Sequence, residues 1–264
     1  MEVGSLTRRV SSNGMQAAVI IPARDEQGTI GEVVAGARRA LPGARLIVVD
    51  DASRDDTARI ARDQGADVVS LRRRAGYSGA LHAGYREAMG SPVGAVLQMD
   101  ADGQHRPCDL PGLIDALGRA DIVLGSRFLG PSPGYRIPRL RRAGMAACRW
   151  MAQTAGGIAL TDPTSGLRAM SPAAAAHIAE RGFPGGLTET SMLIHMHREG
   201  FRIEEIPVLM RASTGQSMHA GLAGGAHFLR ISWAVAGLRA GRRPVPSRGP
   251  EHAATDAVVP RNAL

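Results

Sequence analysis

The chain has 264 residues, of which 44% are apolar and 21% are charged; this composition indicates a folded globular protein with a buried core and excludes a disordered chain. Its formal net charge is +8, and all 32 residues of the Lys and Arg class are arginine, whose planar side chain suits carboxylate and phosphate groups. Such a charge fits a nucleic acid, an anionic membrane surface or a phosphorylated substrate, but the lack of arginine-rich repeats and zinc-finger spacing argues against nucleic acid.

The two ends of the chain differ in composition from its middle. Residues 1–15 and 242–264 are polar or rich in proline and arginine, and we expect both to be disordered tails. The N-terminus lacks the apolar core of a signal peptide, and no apolar run reaches the roughly 20 residues that span a bilayer. From the apolar runs we expect a protein that does not cross a membrane by itself. Because Cys108 and Cys148 have no paired spacing, we also expect it to be reduced and cytoplasmic.

Between these tails, short β-branched runs alternate with longer helical patterns. In chain order, the runs predict strands at 17–22, 45–51, 67–71, 93–100 and 121–126. The helical patterns between the first four strands predict helices at 29–40, 55–65 and 78–89. This alternation indicates an α/β fold, in which helices cover both faces of a mixed, mostly parallel sheet.

Polar residues follow four of the predicted strands at the point where each strand ends. They are Arg24 to Glu26, Asp50 and Asp51, Asp100 to Gln104, and Ser126 with Arg127. Because the carboxyl ends of parallel strands meet at one edge of a sheet, ligands bind beyond that edge. The sequence therefore predicts one site to which four strands contribute.

The segment Asp100 to Gln104 carries the most specific of these groups. Two carboxylates held this close repel each other unless a cation lies between them. Oxygen ligands of this kind suit Mg²⁺ or Mn²⁺, and Gln104 adds a neutral oxygen. A solvated acidic turn is the alternative, because Asp and Gly are common turn residues. The position of Asp100 and Asp102 directly after an apolar strand favours the metal.

Four further features have structural interpretations, and for some of them a functional one competes. Asp51 ends the second strand, where its carboxylate can either cap the following helix or accept a hydrogen bond from a nucleotide base. The glycines of 75–84 match neither a dinucleotide fingerprint nor a phosphate loop, and packing of a helix on the sheet explains part of their pattern. The cluster of turn residues within 160–172 indicates a loop. Arginines before this loop form either a solvated basic face or, with Arg127, a binding site for a phosphate monoester.

Seven motifs in a fixed order resemble those of one enzyme family. They are VIIPARDE, VVDDASRDDT, MDADGQHRP, IVLGSRF, LTDPTSGLRA, GFRIEEIPV and RASTGQS, which together cover about residues 16–220. In these motifs the chain resembles inverting family 2 glycosyltransferases of GT-A fold, above all the polyprenyl-phosphate (dolichol-phosphate) mannose and glucose synthases. The resemblance implies a single Rossmann-like domain over 16–222. It also implies metal-dependent transfer of a hexose from a nucleotide sugar, of the GDP-mannose or UDP-glucose type, to a polyprenyl phosphate.

The resemblance also implies a role for each matching residue. The donor nucleotide sugar would contact Pro22, Ala23, Arg24, Glu26, Asp51, Asp100, Ala101 and Gln104. The ion, Mg²⁺ or Mn²⁺, would be held by Asp100, Asp102 and Gln104. The acceptor phosphate would face Arg127, Arg141 and Arg211. The residues closest to the chemistry would be Asp102, Arg127 and Arg141.

Two other functions stay open at this point. A family 2 enzyme with a soluble, glycan or secondary-metabolite acceptor would need a general-base carboxylate, such as Glu189, near the sugar. An inactive binding or scaffold protein would have no use for intact Asp100, Asp102 and Arg127.

The pattern of residues 223–241 predicts a basic amphipathic helix. One face of this helix carries Phe228, Ile231, Val235 and Leu238. Such a helix either lies in the membrane interface or docks its apolar face on the domain. We therefore expect a peripheral enzyme at the cytoplasmic face of the membrane. A separate membrane protein is a possible partner, and a nucleic acid is not expected.

Overall fold

A mixed sheet organises the part of the chain that the computed structural model describes, namely residues 16–130, 139–182 and 189–211, with the backbone alone for 139–141. Its strands are β1 (Ala17–Ala23), β2 (Arg45–Asp50), β3 (Asp67–Ser70), β4 (Ala95–Gln98), β5 (Ile122–Ser126), β6 (Arg168–Met170) and β7 (Ile203–Pro207). The helices are α1 (Ile30–Ala40), α2 (Thr57–Asp63), α3 (Gly76–Met89), α4 (Leu110–Ala116), α5 (Arg139–Gly156), α6 (Pro172–Arg181) and α7 (Glu189–Arg198). A short 3-10 helix, Pro107–Asp109, precedes α4.

The strands lie in the order β3-β2-β1-β4-β6-β5-β7. β1 pairs in parallel with β2 and β4, β2 with β3, and β5 with β7. The three-residue strand β6 is antiparallel to both of its neighbours, β4 and β5. The mixed, mostly parallel sheet predicted from the sequence is thereby confirmed.

The interior strand β1 is buried along its whole length, and its side chains alternate between two hydrophobic cores. Val19 and Ile21 pack with residues of α1 and α4 on one face, whereas Ala18 and Ile20 pack with residues of α3 and α6 on the other. Because successive side chains of a strand point to opposite faces, a strand covered on both faces is a continuous apolar run. The helices on both faces of the sheet confirm the predicted α/β architecture.

The elements predicted from the sequence differ from the observed ones by at most two residues at each end. The main correction concerns the segment 160–172, which contains β6 and the beginning of α6 as well as a loop. The predicted tails and the predicted helix over 223–241 lie outside the described residues. Among the helices that the structure describes, none is both long enough and apolar enough to cross a bilayer.

Gly84 allows α3 to pack closely on the sheet, as the sequence suggested for this glycine-bearing segment. A Cβ atom at position 84 would overlap Ile20 and lie 3.1 Å from Val49 Cγ2. We therefore expect Gly84→Ala to lower the free energy of unfolding by about 1–3 kcal/mol, the usual effect of overpacking. Urea denaturation of the two proteins measures this change.

Gly144→Ala is the matched control, because Gly144 also lies in a helix but a Cβ there meets nothing within 4 Å in the described part of the chain. Removing a helical glycine at such a position stabilises by roughly 0.5–1 kcal/mol. If both variants were equally stable, close packing at Gly84 would not be the constraint.

Candidate active site

The carboxyl ends of β1, β2 and β4 form one edge of the sheet. The amide of Asp51 donates to the Ala23 carbonyl at 2.9 Å, and the amide of Met99 donates to the Ile20 carbonyl at 3.0 Å. Sheet pairing thus continues just beyond the ends of β2 and β4. The residues that follow these strands leave the sheet side by side, as the sequence predicted.

Arg24 and Asp51 connect this edge to the rest of the domain. Arg24 Nη1 donates to the backbone carbonyl of Asp51 at 2.7 Å and to that of Ala52 at 3.3 Å. The buried carboxylate of Asp51 accepts from the amides of Ala75 at 2.6 Å and Gly76 at 2.9 Å. Asp51 therefore fixes the beginning of α3 to the end of β2, and its contact with a nucleotide base stays a prediction.

The backbone at this edge is strained at two positions without glycine. Asp25 has a φ of 53° and Ala52 a φ of 55°, in the left-handed region where a Cβ atom costs about 1–2 kcal/mol. The Asp25 amide donates to Ser53 Oγ at 3.0 Å, and Asp25 Oδ1 accepts from the Arg54 amide at 2.7 Å. These bonds between the two loops hold both residues in the strained form.

The other residues predicted to contact the donor lie at the same edge. Pro22 and Ala23 end β1, where they pair with Val49 and Asp50 of β2. Ala101, which separates the two aspartates after β4, is also buried.

Three carboxylates, those of Glu26, Asp100 and Asp102, lie near one another at this edge. Burial raises the pKa of Glu26 above its ordinary value, and the negative charges of Asp102 and Asp100 raise it further. Asp102 accepts from the backbone amide of Gln104 at 3.0 Å and from its side-chain amide at 2.7 Å. The arrangement concentrates negative charge and favours a cation.

The donor set fits a hard divalent cation. Carboxylate and amide oxygens such as those of Asp100, Asp102 and Gln104 are ligands that Mg²⁺ and Mn²⁺ accept. Within the described ranges, no three His, Cys, Asp or Glu side chains are arranged to hold a metal ion by themselves. Such an incomplete set suits an ion that retains water and takes further ligands from substrate phosphates.

The loop before β6 closes over Asp100. A Cβ atom at Gly166 would lie within 2.6 Å of Asp100 Oδ1, so that only glycine leaves room for the carboxylate. His105 Nε2 also lies 3.4 Å from Asp100 Oδ2. The segment that the sequence indicated as a loop is therefore part of the wall around the acidic edge.

Arg127 lies at the end of β5 in a buried ion pair. Its Nε and Nη2 donate to the two carboxylate oxygens of Asp162 at 2.5 and 2.6 Å, and Nη2 also donates to Thr164 Oγ1 at 2.9 Å. Its backbone amide donates to Asp162 as well, and Asp162 is fully buried. Arg127 thus fixes the loop before β6, a role that the sequence did not reveal. Its contact with an acceptor phosphate stays a prediction.

The two other arginines predicted at the acceptor phosphate differ in what the structure describes. Arg211 is exposed, and its backbone amide donates to the Gln104 carbonyl at 2.9 Å. Its neighbour Met210 pairs with His105 in an isolated bridge, so Arg211 follows directly after the segment that lies against the acidic loop. Arg141 lies in α5, and its side chain is outside the described part of the chain.

A buried polar network, not predicted from the sequence, extends from Asp100 into the domain. Tyr77 donates to Asp100, Gln98 donates to Tyr77 and to Glu189, and Glu189 forms an ion pair with Arg168. Burial, and next the charge of Asp100, holds the pKa of Tyr77 well above its ordinary value, so its hydroxyl keeps its proton. Gln98 is the sign of this network in the sequence, because it is a polar residue between the apolar Leu97 and Met99 at the end of β4.

Comparison with known proteins identifies the family. Residues 18–174 match the family described as Glycosyl transferase family 2. The chain belongs to this family. Family membership confirms the resemblance inferred from the motifs, the predicted enzyme class of glycosyltransferase and the predicted fold.

Two curated relatives have names that mention a polyprenyl phosphate. An undecaprenyl-phosphate mannosyltransferase of Micrococcus luteus is 32% identical over 86% of this chain and 98% of its own length. A dolichyl-phosphate hexose transferase of Haloferax volcanii is 32% identical over 79% of this chain and 89% of its own length.

Among solved structures, glucosyl-3-phosphoglycerate synthase of Mycobacterium tuberculosis superposes with a TM-score of 0.68 over 92% of this chain and 83% of its own. That structure contains Mn²⁺, uridine diphosphate and phosphoglyceric acid. At 22% sequence identity, the likeness shows a shared fold.

The family's architecture explains why the predicted residues fall where they do. The structure brings Glu26, Asp51 and Asp100 to the carboxyl edge of the parallel strands, and Arg127 to the end of β5. What each residue contacts during the reaction stays a prediction, because the described contacts are all within the protein.

The buried ion pair between Arg127 and Asp162 should contribute to the free energy of unfolding. In Asp162→Ala, the buried guanidinium loses its carboxylate, and we expect a loss of about 3–5 kcal/mol in the free energy of unfolding. Urea denaturation measures it. The matched control is Glu204→Ala, which breaks the exposed pair with Arg119 and should leave stability nearly unchanged. Equal effects of the two substitutions would contradict a supporting role for the buried pair.

Proposed function

We propose that this family 2 glycosyltransferase moves a hexose from a nucleotide sugar, of the GDP-mannose or UDP-glucose type, to a polyprenyl phosphate, with inversion at the anomeric carbon. The observation that carries the proposal is the position of Asp100 and Asp102 beyond β4, beside Glu26 and the loop that Arg127 anchors. This edge offers a binding place for a cation and a diphosphate.

On the donor side, the proposal assigns the nucleoside to the edge formed by Arg24, Glu26 and Asp51. Two oxygens of the Asp51 carboxylate already accept backbone amides, and a carboxylate has further lone pairs with which to accept a hydrogen bond from a base. These contacts hold Asp51 in one orientation before a nucleotide binds. A preoriented carboxylate loses little freedom on binding.

The ion would be held by Asp100, Asp102 and Gln104. When bound, Mg²⁺ or Mn²⁺ offsets the negative charge that develops on the departing diphosphate. Gln104 donates to both oxygens of Asp102, and this contact orients that carboxylate. Gly166 keeps the space that the Asp100 carboxylate needs.

On the acceptor side, a phosphate monoester is ionised near neutral pH and needs no potent general base. Glu189, the candidate base for a soluble acceptor, has its Oε1 3.1 Å from Gln98 Nε2 and its Oε2 3.3 Å from Arg168 Nη2. Both oxygens of this carboxylate therefore already have donors within the protein. This arrangement supports a phosphate nucleophile over a hydroxyl one.

The names of the relatives from Micrococcus luteus and Haloferax volcanii support a polyprenyl phosphate as the acceptor. We further propose that the enzyme works as a peripheral protein at the cytoplasmic face of a membrane, because its acceptor would reside there. The helix predicted over 223–241 is the segment proposed to bind the membrane. A separate membrane partner finds no support among the relatives and stays a prediction.

The proposal predicts a metal-dependent nucleotide site that Asp102→Ala abolishes. In the wild type, GDP or UDP should raise the melting temperature more with Mn²⁺ than without it, since stabilisation follows ligand concentration over Kd. In Asp102→Ala, the Mn²⁺-dependent part should vanish. Asp63→Ala, at an exposed carboxylate of α2, is the matched control and should keep the full shift. Undiminished Mn²⁺-dependent stabilisation of Asp102→Ala would refute this assignment.

The acceptor assignment predicts transfer to undecaprenyl phosphate in detergent. Radiolabel from GDP-mannose or UDP-glucose should enter the lipid with undecaprenyl phosphate and not with undecaprenol, which lacks the phosphate. Arg211→Ala should raise the KM for the lipid by about tenfold, the effect of one lost charge-assisted bond.

Arg119→Ala is the control for this experiment, because Arg119 is exposed and precedes β5 at the opposite edge of the sheet. It should leave the KM unchanged. Transfer to phosphoglyceric acid in place of undecaprenyl phosphate would refute the lipid acceptor and leave the glycosyltransferase assignment intact.

A further inference from the structure

The carboxylate of Asp100 is held by contacts on several sides. The hydroxyl of Tyr77 donates to Oδ1 at 2.7 Å, His105 Nε2 lies 3.4 Å from Oδ2, and the backbone of Gly166 packs against the carboxylate. Tyr77 comes from the first turn of α3, which follows β3 in the sequence. The orientation of Asp100 is therefore set by residues from three separate segments.

The hydrogen bond from Tyr77 to Asp100 has a direction that its neighbours fix. An ionised carboxylate can only accept, so the side chain of Gln98 must turn its nitrogen toward Glu189 Oε1, at 3.1 Å. The second N–H of that nitrogen then donates to the Tyr77 hydroxyl at 3.0 Å. Because the Tyr77 oxygen accepts this bond, its own proton is directed at Asp100.

Two further contacts hold Gln98 in this orientation. The hydroxyl of Tyr85 donates to Gln98 Oε1 at 3.2 Å, in agreement with the orientation that Glu189 requires. Gln98 is buried in β4 and pairs with Arg168 in β6. Both N–H groups and the carbonyl oxygen of its side-chain amide therefore form hydrogen bonds within the protein.

Arg168 neutralises Glu189 at the inner end of the network. It is fully buried, its Nη2 lies 3.3 Å from Glu189 Oε2, and its Nε donates to the Ser165 carbonyl at 2.8 Å. Glu189 itself is half-buried, and Arg168 is the cation beside it. With Arg168 present, Glu189 remains an acceptor, which is the condition that fixes Gln98 and Tyr77.

We propose that Tyr77 is a positioning residue for Asp100, and that Gln98, Glu189 and Arg168 act through it. The network sets the orientation of this carboxylate before a divalent cation binds, so that the ion does not have to reorder it. The inference rests on the proposed function in taking Asp100 as a ligand of the ion. Removing such a supporting hydrogen bond costs about 10–100-fold in metal affinity in metalloproteins.

The test deletes single hydroxyl groups. Tyr77→Phe removes the bond to Asp100, whereas Tyr85→Phe removes the same group from a fully buried tyrosine that donates to Gln98, one step further from Asp100. Binding of Mn²⁺ to each protein is measured by electron paramagnetic resonance of the free ion, in the presence of saturating GDP or UDP. We expect the Mn²⁺ Kd to rise about 10–100-fold in Tyr77→Phe and less than about threefold in Tyr85→Phe.

Two additional measurements separate positioning from general destabilisation. Melting temperatures without metal should fall at least as much in Tyr85→Phe as in Tyr77→Phe, because the bond from Tyr85 is buried and the bond from Tyr77 is half-buried. Gln98→Met keeps the Tyr77 hydroxyl but removes the group that directs its proton, and its Mn²⁺ Kd should lie between those of the two tyrosine variants.

An unchanged Mn²⁺ Kd in Tyr77→Phe, or an equal rise in Tyr85→Phe, would overturn the inference. In either case, binding of Mn²⁺ by the wild type would still support the proposed metal site. If the wild type itself bound no Mn²⁺ with either nucleotide, the metal site of the proposed function would fail together with this inference.

Discussion

Parallel pairing of β1 with β2 and β4 is the constraint on which the rest of the structure depends. It places the carboxyl ends of three strands at one edge, and any polar residue that follows a strand must emerge there. The apolar runs supply the driving force, because each strand is buried on both faces. Formation of the core therefore also positions the acidic edge, because the residues that build the sheet determine where Asp51 and Asp100 lie.

Buried charges add a second level of organisation. Arg127 with Asp162 and Arg168 with Glu189 join the loop before β6 to β5 on one side and to α7 on the other. Such pairs contribute little net stability compared with apolar packing, since desolvation offsets their attraction, but each leaves few alternative arrangements for its partners. The loop that carries Gly166 is consequently fixed by geometry rather than by hydrophobic burial. The polar loop beside the site is therefore held in place without apolar packing.

The sequence predicted the first five strands well, because period and turn signals are local, whereas the last parallel strand, β7, was not predicted. The five strands up to β5 had runs long enough to recognise, and the polar residues at their ends marked the site. β6 escaped prediction because three residues give no period, and because Arg168 is an unusual residue for a buried strand. The pairing of Arg127 with Asp162 joins residues 35 apart and leaves no local pattern. The same is true of Tyr77 and Asp100, although Gln98 within an apolar strand was a visible sign that polar partners lay inside.

The insertion of β6 between β4 and β5 has a consequence for the order in which the chain can assemble. β4 is complete at Gln98, yet its outer neighbour is supplied by Arg168–Met170, about 70 residues later. At a synthesis rate of about 5–20 residues per second, the edge of β4 that pairs with β6 stays unpaired for on the order of ten seconds. During this interval the nascent chain presents an unpaired strand to its surroundings, a condition that favours pairing with foreign chains. The half of the domain that carries Asp51 and Asp100 is thus made first, and the half that carries Arg127 can join it only after the intervening strand has emerged.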